Sequence, residues 1–586
     1  MICERDFPRV AYSEPRLDDD RPRIANIVGI DSEAYTTGEP FMLCTSRGEV
    51  ISPDDSPQCF FDNCGEDINF VVWNLKYDSG AILYHIPRGV LMALWERGRT
   101  VYQAPNGGFY KLQYVPHKLL RIRFRRQTVN FWEISQFYHS SLDKAATTYL
   151  GESKLAVATK NFSPRYVARF RKHLEKYCTR DAILTARLGE YLVDKLGEFG
   201  IIASSLYSSA SISFKYFSSR AAIVTSWRFW NEDRKVLGFA SNAYEGGKFE
   251  VTARGPFTGF EYDISSAYPC EIANLVDISN ATVKYTTEFQ PRAVYGFIDC
   301  IIENNTIHHL PCGPMVGNVR IYPMGFFRMT ITIPEYEYML SLGVKITILA
   351  GCWLFVKRRR YPYRKIEHDL FRIKSTMKQT DPMLYNVTKG VLNGFYGKMA
   401  QSIEQPDGTI IVGSGWNPVY ASYITANVRL KVTKIQNMMG ADCLAVHTDS
   451  VITTRPLPSE VITDNQLGNF GLVIAGAGVI VACGMYQIGN QCAFKGFRAK
   501  AGETWVSILE RFPWRKTIPY KTLHVESWLE AMSKNHPVDR INVFERAHKR
   551  MALNCDKKRL WHNSVRAKDL LDHFEKSDPK IYVEKI

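Results

Sequence analysis

None of the 13 cysteines falls in a C-x-x-C pair, and they sit mostly among apolar neighbours, as at Cys178, Cys300, Cys352 and Cys443. That argues against paired-cysteine metal sites and disulfide frameworks and implies reduced thiols, hence a cytoplasmic, reducing setting. Residues Met1 to Pro8 lack an apolar core, and Asp18, Asp19 and Asp20 follow soon after, so no secretory signal is expected. There is no internal repeat and no low-complexity tract, which leaves ordinary folded domains. Charge itself is missing from Asn465 to Phe494, where Gly471 to Cys483 is strongly apolar. That run reaches toward the length of a membrane span, but its Ala475-Gly-Ala-Gly478 centre would break the helix a bilayer demands. It predicts a turn between two short buried strands, and no membrane partner.

What is present reads as a large globular protein. Its 586 residues exceed one core and suggest about three to five domains. Hydrophobic content of 45% and charged content of 23% are ordinary. Acidic residues are the minority charge, 59 against 74 Lys and Arg, and the resulting net charge of +15 favours a polyanionic partner.

The fold class expected is α/β multidomain (α+β). Residues 1–25 are a polar, Pro-rich lead-in. Strands begin near Ile24–Asp31, Ile68–Trp73 and Thr128–Phe137, and a long helical pattern from about Pro164 to Gly197 closes an α/β domain over 26–200. The second half starts with a strand near Phe257–Ile264. A helical stretch from about Glu367 to Ala400 and a strand–turn–strand unit over Cys443–Thr454 follow.

Two aspartates carry the second half. Asp263 ends a strand and precedes Ser265-Ser266-Ala-Tyr268-Pro269, where backbone N–H groups can turn toward a triphosphate and Tyr268 can lie flat under a sugar. Asp449 sits at the tip of the predicted hairpin. Each taken alone is also a plain turn composition. Between them, Lys389, Asn393 and Tyr396 fall at i, i+4 and i+7 on one helix face, and Gly390, Gly394 and Gly397 line an adjoining stripe open to a flat base pair. Lys374 and Lys378 form another i, i+4 pair suited to phosphates. Two carboxylates with cations between them are what metal-assisted phosphoryl transfer requires, because Mg²⁺ fills most of its shell with water and substrate phosphate.

The first half carries a second acidic set. Asp31 and Glu33 share one face of a strand by the period of two. Asn74-Leu-Lys-Tyr77-Asp78 ends the next strand with another acid, and Tyr177 and Asp181 stand at i, i+4 on the long helix. Four acids so placed can bind two cations and activate water.

On D-x-x-S-x-Y-P, K-x-x-x-N-x-x-Y-G and T-D-S, in that order, the chain resembles the family B DNA polymerases, and the resemblance spans nearly its whole length. It implies an RNase H-like 3′–5′ exonuclease domain followed by a right-hand polymerase: connecting segment and first palm part over 201–350, fingers 351–400, second palm part 401–500, thumb 501–586. Asp263 and Asp449 would hold two Mg²⁺ ions, with Mn²⁺ able to substitute. Lys389 and Lys374 would bind the incoming dNTP beside Ser266 and Tyr268, and Asn393 and Tyr396 would check the nascent pair. Asp31, Glu33, Asp78 and Asp181 would hold the two exonuclease metals, with Tyr177 orienting water and Lys154 helping. Asn74, Tyr77, Ser141 and Leu142 would touch single-stranded ends.

The sequence departs from the family at three places: His447 where a further acid is usual, Gly394 in place of a serine, and Lys495-Gly-Phe497 for the primer-gripping element. Tyr244-Glu-Gly246-Gly247 looks like the template-contacting element of the compact protein-primed branch of phages and linear plasmids. Residues 305–360 leave room for that branch's first insertion, and Gln401–Trp416 for a short second one at most. The implied partners are DNA template and primer, dNTPs and a terminal protein, for a monomer in a host cytoplasm if viral. A small viral polymerase using a nucleic-acid primer, or a nuclease whose second half only binds DNA, are the alternatives. Arg121–Arg126, Lys357–Lys365 and Lys557–Arg559 are basic runs suited to DNA.

Overall fold

The structure, a computed structural model, describes residues 10–12, 24–55, 57–62, 69–105, 107–159, 162–404, 410–463, 466–497, 499–500, 502–525 and 544–584. Most of the expected lead-in therefore lies outside the described residues. Val10–Tyr12 pairs in parallel with Ile410–Val412, which also pairs with Ser402–Glu404.

The first half is built on an eight-stranded sheet whose centre is three parallel strands: β1 (Ile27–Ala34), β2 (Asn69–Val72) and β3 (Gln127–Glu133). After β2 the chain turns into helix α1 (Leu75–Ile82), so Asp78 lies in a helix and not at a strand end as expected. The long helix α2 (Pro164–Glu198) starts at a Ser163 cap with Pro164 in its first turn, a favourable start because Pro lacks an N–H that would be unpaired there anyway. It lies directly on β1: a Cβ on Gly29 would run into the Ala182 carbonyl, so only glycine permits this approach.

The second half is built on an antiparallel eight-stranded sheet. Its path runs β4 (Lys248–Val251), β6 (Cys443–Thr448), β7 (Ser450–Thr453), β5 (Ala253–Ile264), β8 (Phe470–Ala482), β9 (Met485–Ile488), then Gln491–Phe494. Strand β8 corrects the sequence expectation: residues 470–482 form one continuous strand paired along β5, with no turn at 475–478. Gly478 is there because a Cβ would strike the Gln487 carbonyl on β9. Among the described residues no helix is long and apolar enough to cross a membrane.

Helix α3 (Ser209–Ser218) and the pair α4 (Arg364–Met377) and α5 (Pro382–Met399) flank this sheet's cleft. The expected single stretch 367–400 is thus two helices, broken before Pro382, whose ring cannot continue a helix, while Asp381 caps α5 at the Leu384 N–H (2.9 Å). Helix α6 (Pro418–Met439) covers the far face of the sheet, burying Val428, Val432 and Ile435 against Tyr262, Ile264, Val446 and Val451. Four strands of a separate five-stranded sheet lie within residues 282–355, so the segment expected as an insertion from 305 is continuous with the strands before it. At the chain's end, Glu575–Lys576 pairs with β5, and Ile581–Val583 is the fifth strand of that separate sheet.

Candidate active sites

At the second-half site, the hairpin β6–β7 and strand β5 bring the two aspartates together. Asp263 pairs with Ser450 across the ladder, and the Ile264 N–H donates to the Asp449 carbonyl at 2.9 Å. Thr448, just before Asp449, adopts φ 63°, a left-handed turn rare outside glycine and frequent where backbone strain is held at a functional site. Burial first, then the charges of Asp449 and Glu261, push the Asp263 carboxyl up to about 7. Burial raises Asp449 as well. Lys374 and Lys389 pull Asp263 the other way. Lys374 donates to the Ser266 hydroxyl at 2.9 Å, and burial together with the nearby Lys389 lowers its own pKa.

Three tyrosines close this cleft. Tyr268 stacks on Tyr396 with ring centroids 4.6 Å apart and planes 16° apart, and the Tyr396 and Tyr244 hydroxyls are 2.7 Å apart. The Tyr244 segment is held from below by Arg429, a fully buried side chain that donates to the carbonyls of Glu245 (2.6 Å) and Gly246 (2.9 Å) and pairs with Glu335 (2.6 Å). A Cβ on Gly247 would lie 2.5 Å from Thr448 Cγ2, so this glycine lets the segment pass beside the Asp449 turn; Gly246 is under no such constraint. Lys389 and Asn393 are exposed on α5.

The glycine stripe of α5 has a different purpose from the one expected. Cβ atoms on Gly390 and Gly394 would meet Ser209, Ala210 and Ser213 at 2.9–3.3 Å, so these glycines seat α5 against α3; Gly397 alone is open. Lys495 lies over the Phe249 ring at 3.5 Å, and Phe497 is buried against Trp505 and Tyr520, which makes it core and not an exposed gripping residue. In the basic run near the C-terminus, Lys558 bonds the Phe249 carbonyl and Arg559 is buried on Glu250 (2.9 Å); only Lys557 is exposed, so the run as a whole cannot face duplex phosphates. Lys357–Arg360 is exposed throughout.

His447 is buried with its Nε2 accepting the Gly484 N–H at 3.2 Å, which places the ring proton on Nδ1. Burial, then Lys495 and Lys558, hold its pKa down to about 3, so it is neutral near pH 7.

At the first-half site, Asp78, Glu33 and Asp181 all lie within electrostatic reach of Asp31. Asp31 is raised well above the ordinary range by burial, then by Asp78, Glu33 and Asp181. Asp78 is pushed up to about 7 by burial, although the Ser32 hydroxyl donates to it at 2.7 Å. Lys154 forms an ion pair with Asp181 and lies 5.3 Å over the Tyr177 ring. Tyr77 is half-buried beside Glu33, Asp78 and Asp31, and Asn74 is exposed at the start of α1. Ser141 caps the helix Leu142–Leu150 at the Lys144 N–H, and Leu142 is in the core, so its side chain has a packing task.

Both sites suit a hard divalent cation in donor chemistry: crowded carboxylates whose pKa values rise through burial and mutual repulsion are relieved by positive charge. Among the described residues no three His, Cys, Asp or Glu side chains close around a common point, and Mg²⁺, which keeps several waters, needs no such cage. Sequence reasoning missed Arg429 and Glu335, which no local pattern marks. It also missed Glu261, which the alternation used for Asp31 and Glu33 would have found.

Comparison with known proteins agrees with this fold. Residues 152–415 match the family described as DNA polymerase type B, organellar and viral. The phi29 DNA polymerase in a ternary complex with primer–template DNA and incoming nucleotide superimposes with a TM-score of 0.58 at 13% identity, covering 86% of this chain and 97% of that one. The same enzyme in an orthorhombic crystal gives 0.53 at 14% identity, covering 85% and 97%. Its complex with single-stranded DNA gives 0.51 at 14%, covering 78% and 86%. No curated protein sequence matches the chain. The chain thus resembles the family B DNA polymerases in motif order and fold, and the expected class, an exonuclease fold followed by palm, fingers and thumb, is the one observed.

Proposed function

We propose that the protein is a template-directed DNA polymerase of the compact viral type, extending a 3′-hydroxyl with dNTPs and editing through a 3′–5′ exonuclease in its first half. The observation that carries the reading is one cleft holding Asp263, Asp449, Lys374, Lys389 and the stacked Tyr268–Tyr396 pair. Asp263 and Asp449 would hold Mg²⁺, which when bound neutralises phosphate charge and lowers the pKa of the attacking hydroxyl. Lys374 and Lys389 bind the triphosphate. The Tyr268 ring lies beneath the sugar and Tyr396 beneath the new pair, steadied by the Tyr244 hydroxyl.

In the first half, Asp31, Glu33, Asp78 and Asp181 would hold the second set of ions. Tyr177 positions water, Lys154 keeps Asp181 in place, and Asn74 and Tyr77 receive the strand end. Tyr244 to Gly247 contacts template between the two sites, and Lys495 supports the primer side. A protein primer is favoured by that Tyr244-Glu-Gly-Gly247 segment beside the Asp449 turn.

The test is extension of a labelled primer on template with Mg²⁺ and dNTPs. Wild type should extend it, and Asp449→Asn should not, while still shortening single strands. Degradation without incorporation at any dNTP concentration would instead support a nuclease. Template supplied without primer, together with neighbouring gene products, separates priming routes: nucleotide covalently attached to protein supports protein priming, and an absolute need for an oligonucleotide refutes it.

A further inference from the structure

We infer that Glu261 is a third acidic residue of the Asp263–Asp449 site, a positioning residue for its divalent cation. The inference deepens the polymerase reading and rests on it. Glu261 and Asp263 are two apart on β5 and so share a face, while Phe260, Tyr262 and Ile264 pack on the opposite side toward α6. Glu261 is 5% exposed. Its Oε1 accepts the Tyr486 hydroxyl at 2.6 Å, and its Oε2 is buried with no hydrogen-bond partner.

A buried carboxylate with one oxygen unsatisfied is unfavourable, and an apolar side chain would serve a merely structural position better. The arrangement makes sense if the free oxygen faces a positive charge that the folded chain does not itself contain. The neighbours do not supply that charge. Tyr486 stacks on His447 with centroids 5.0 Å apart and planes 11° apart, and the neutral imidazole gives no counter-ion. Glu261 stands on the side of the sheet where β6 carries His447. Tyr486 fixes Oε1, which leaves Oε2 to meet the cation or a water bound to it.

Full-length protein carrying Asp31→Ala and Asp78→Ala, which disable the first-half site, isolates the second-half one. Mn²⁺ binding is followed by the electron paramagnetic resonance of free Mn²⁺, without nucleotide. Glu261→Gln should weaken Mn²⁺ binding about tenfold, the scale typical of residues supporting a metal's ligands. It should raise the Mg²⁺ concentration for half-maximal extension by a similar factor. Tyr486→Phe should shift both in the same direction by less. Unchanged Mn²⁺ affinity and Mg²⁺ dependence in a folded Glu261→Gln protein overturns the inference. If that variant does not fold, an unchanged Mn²⁺ affinity in Tyr486→Phe overturns it. If Asp263→Asn also leaves Mn²⁺ binding and extension intact, the polymerase reading itself fails, a result distinct from failure of Glu261 alone.

Discussion

In the first-half site a lysine reaches in among the acids, Lys154 pairing with Asp181, whereas in the second-half site Lys374 donates to the Ser266 hydroxyl. The first site gathers its carboxylates from a strand and two helices, and Lys154 takes up part of their repulsion. The second places Asp263 on a strand and Asp449 on the neighbouring hairpin turn of one sheet, and its two lysines on helices α4 and α5. That difference follows the chemistry proposed for each. Hydrolysis needs a tight acidic pocket around water, and nucleotide addition needs room for a triphosphate between acids and lysines.

The largest effect expected is a reciprocal separation. Asp449→Asn should reduce extension by about 1000-fold or more and spare degradation, and Asp31→Ala should do the reverse, on the scale typical of removing a charge that acts only in the transition state. Loss of both activities in either variant would mean that the two sites are not independent. An intermediate effect is expected at the tyrosine bridge. Tyr244→Phe or Tyr396→Phe should each lower extension about three- to tenfold, the worth of one hydrogen bond, and the double variant should be no worse than either single one. Additive losses would show that the hydroxyls act separately.

The smallest effect concerns a contrast inside the helices. Glu367 on α4 is fully buried with neither oxygen hydrogen-bonded, and burial raises its pKa well above the ordinary value. The folded state therefore binds a proton more tightly than the unfolded one. Its unfavourable contribution is absent below the unfolded pKa of 4.5 and grows as pH rises from there toward the folded pKa. Glu367→Met should stabilise the protein by about 1–3 kcal/mol at pH 8 and by less at pH 5, read from thermal melts at both values. Equal shifts at the two pH values would contradict this.

What the sequence disclosed and concealed follows a physical line. Asp263 stands beside the end of a strand and Asp449 at a hairpin turn, where a local run of residues fixes the backbone, and both lie where expected, while Asp31 lies inside β1, which runs on to Ala34. Residues whose purpose depends on a distant partner were misread. Gly390 and Gly394 read as a surface for a base pair because α3, which they contact, lies far away in the chain. The glycines of β8 read as a turn, although glycine inside a strand equally marks a close neighbouring backbone. Arg559 read as a phosphate ligand, but Glu250 lies opposite it in the fold. Arg429 gave no signal, since a buried ion pair is set by tertiary contact alone.

The measurement that bears most directly on the central claim is anomalous diffraction at the manganese edge from crystals soaked in Mn²⁺ and nucleotide. The account predicts two peaks about 4 Å apart, bridged by the carboxylates of Asp263 and Asp449. Peaks only among Asp31, Glu33, Asp78 and Asp181, or aspartates 263 and 449 turned away from any common ion, would contradict it.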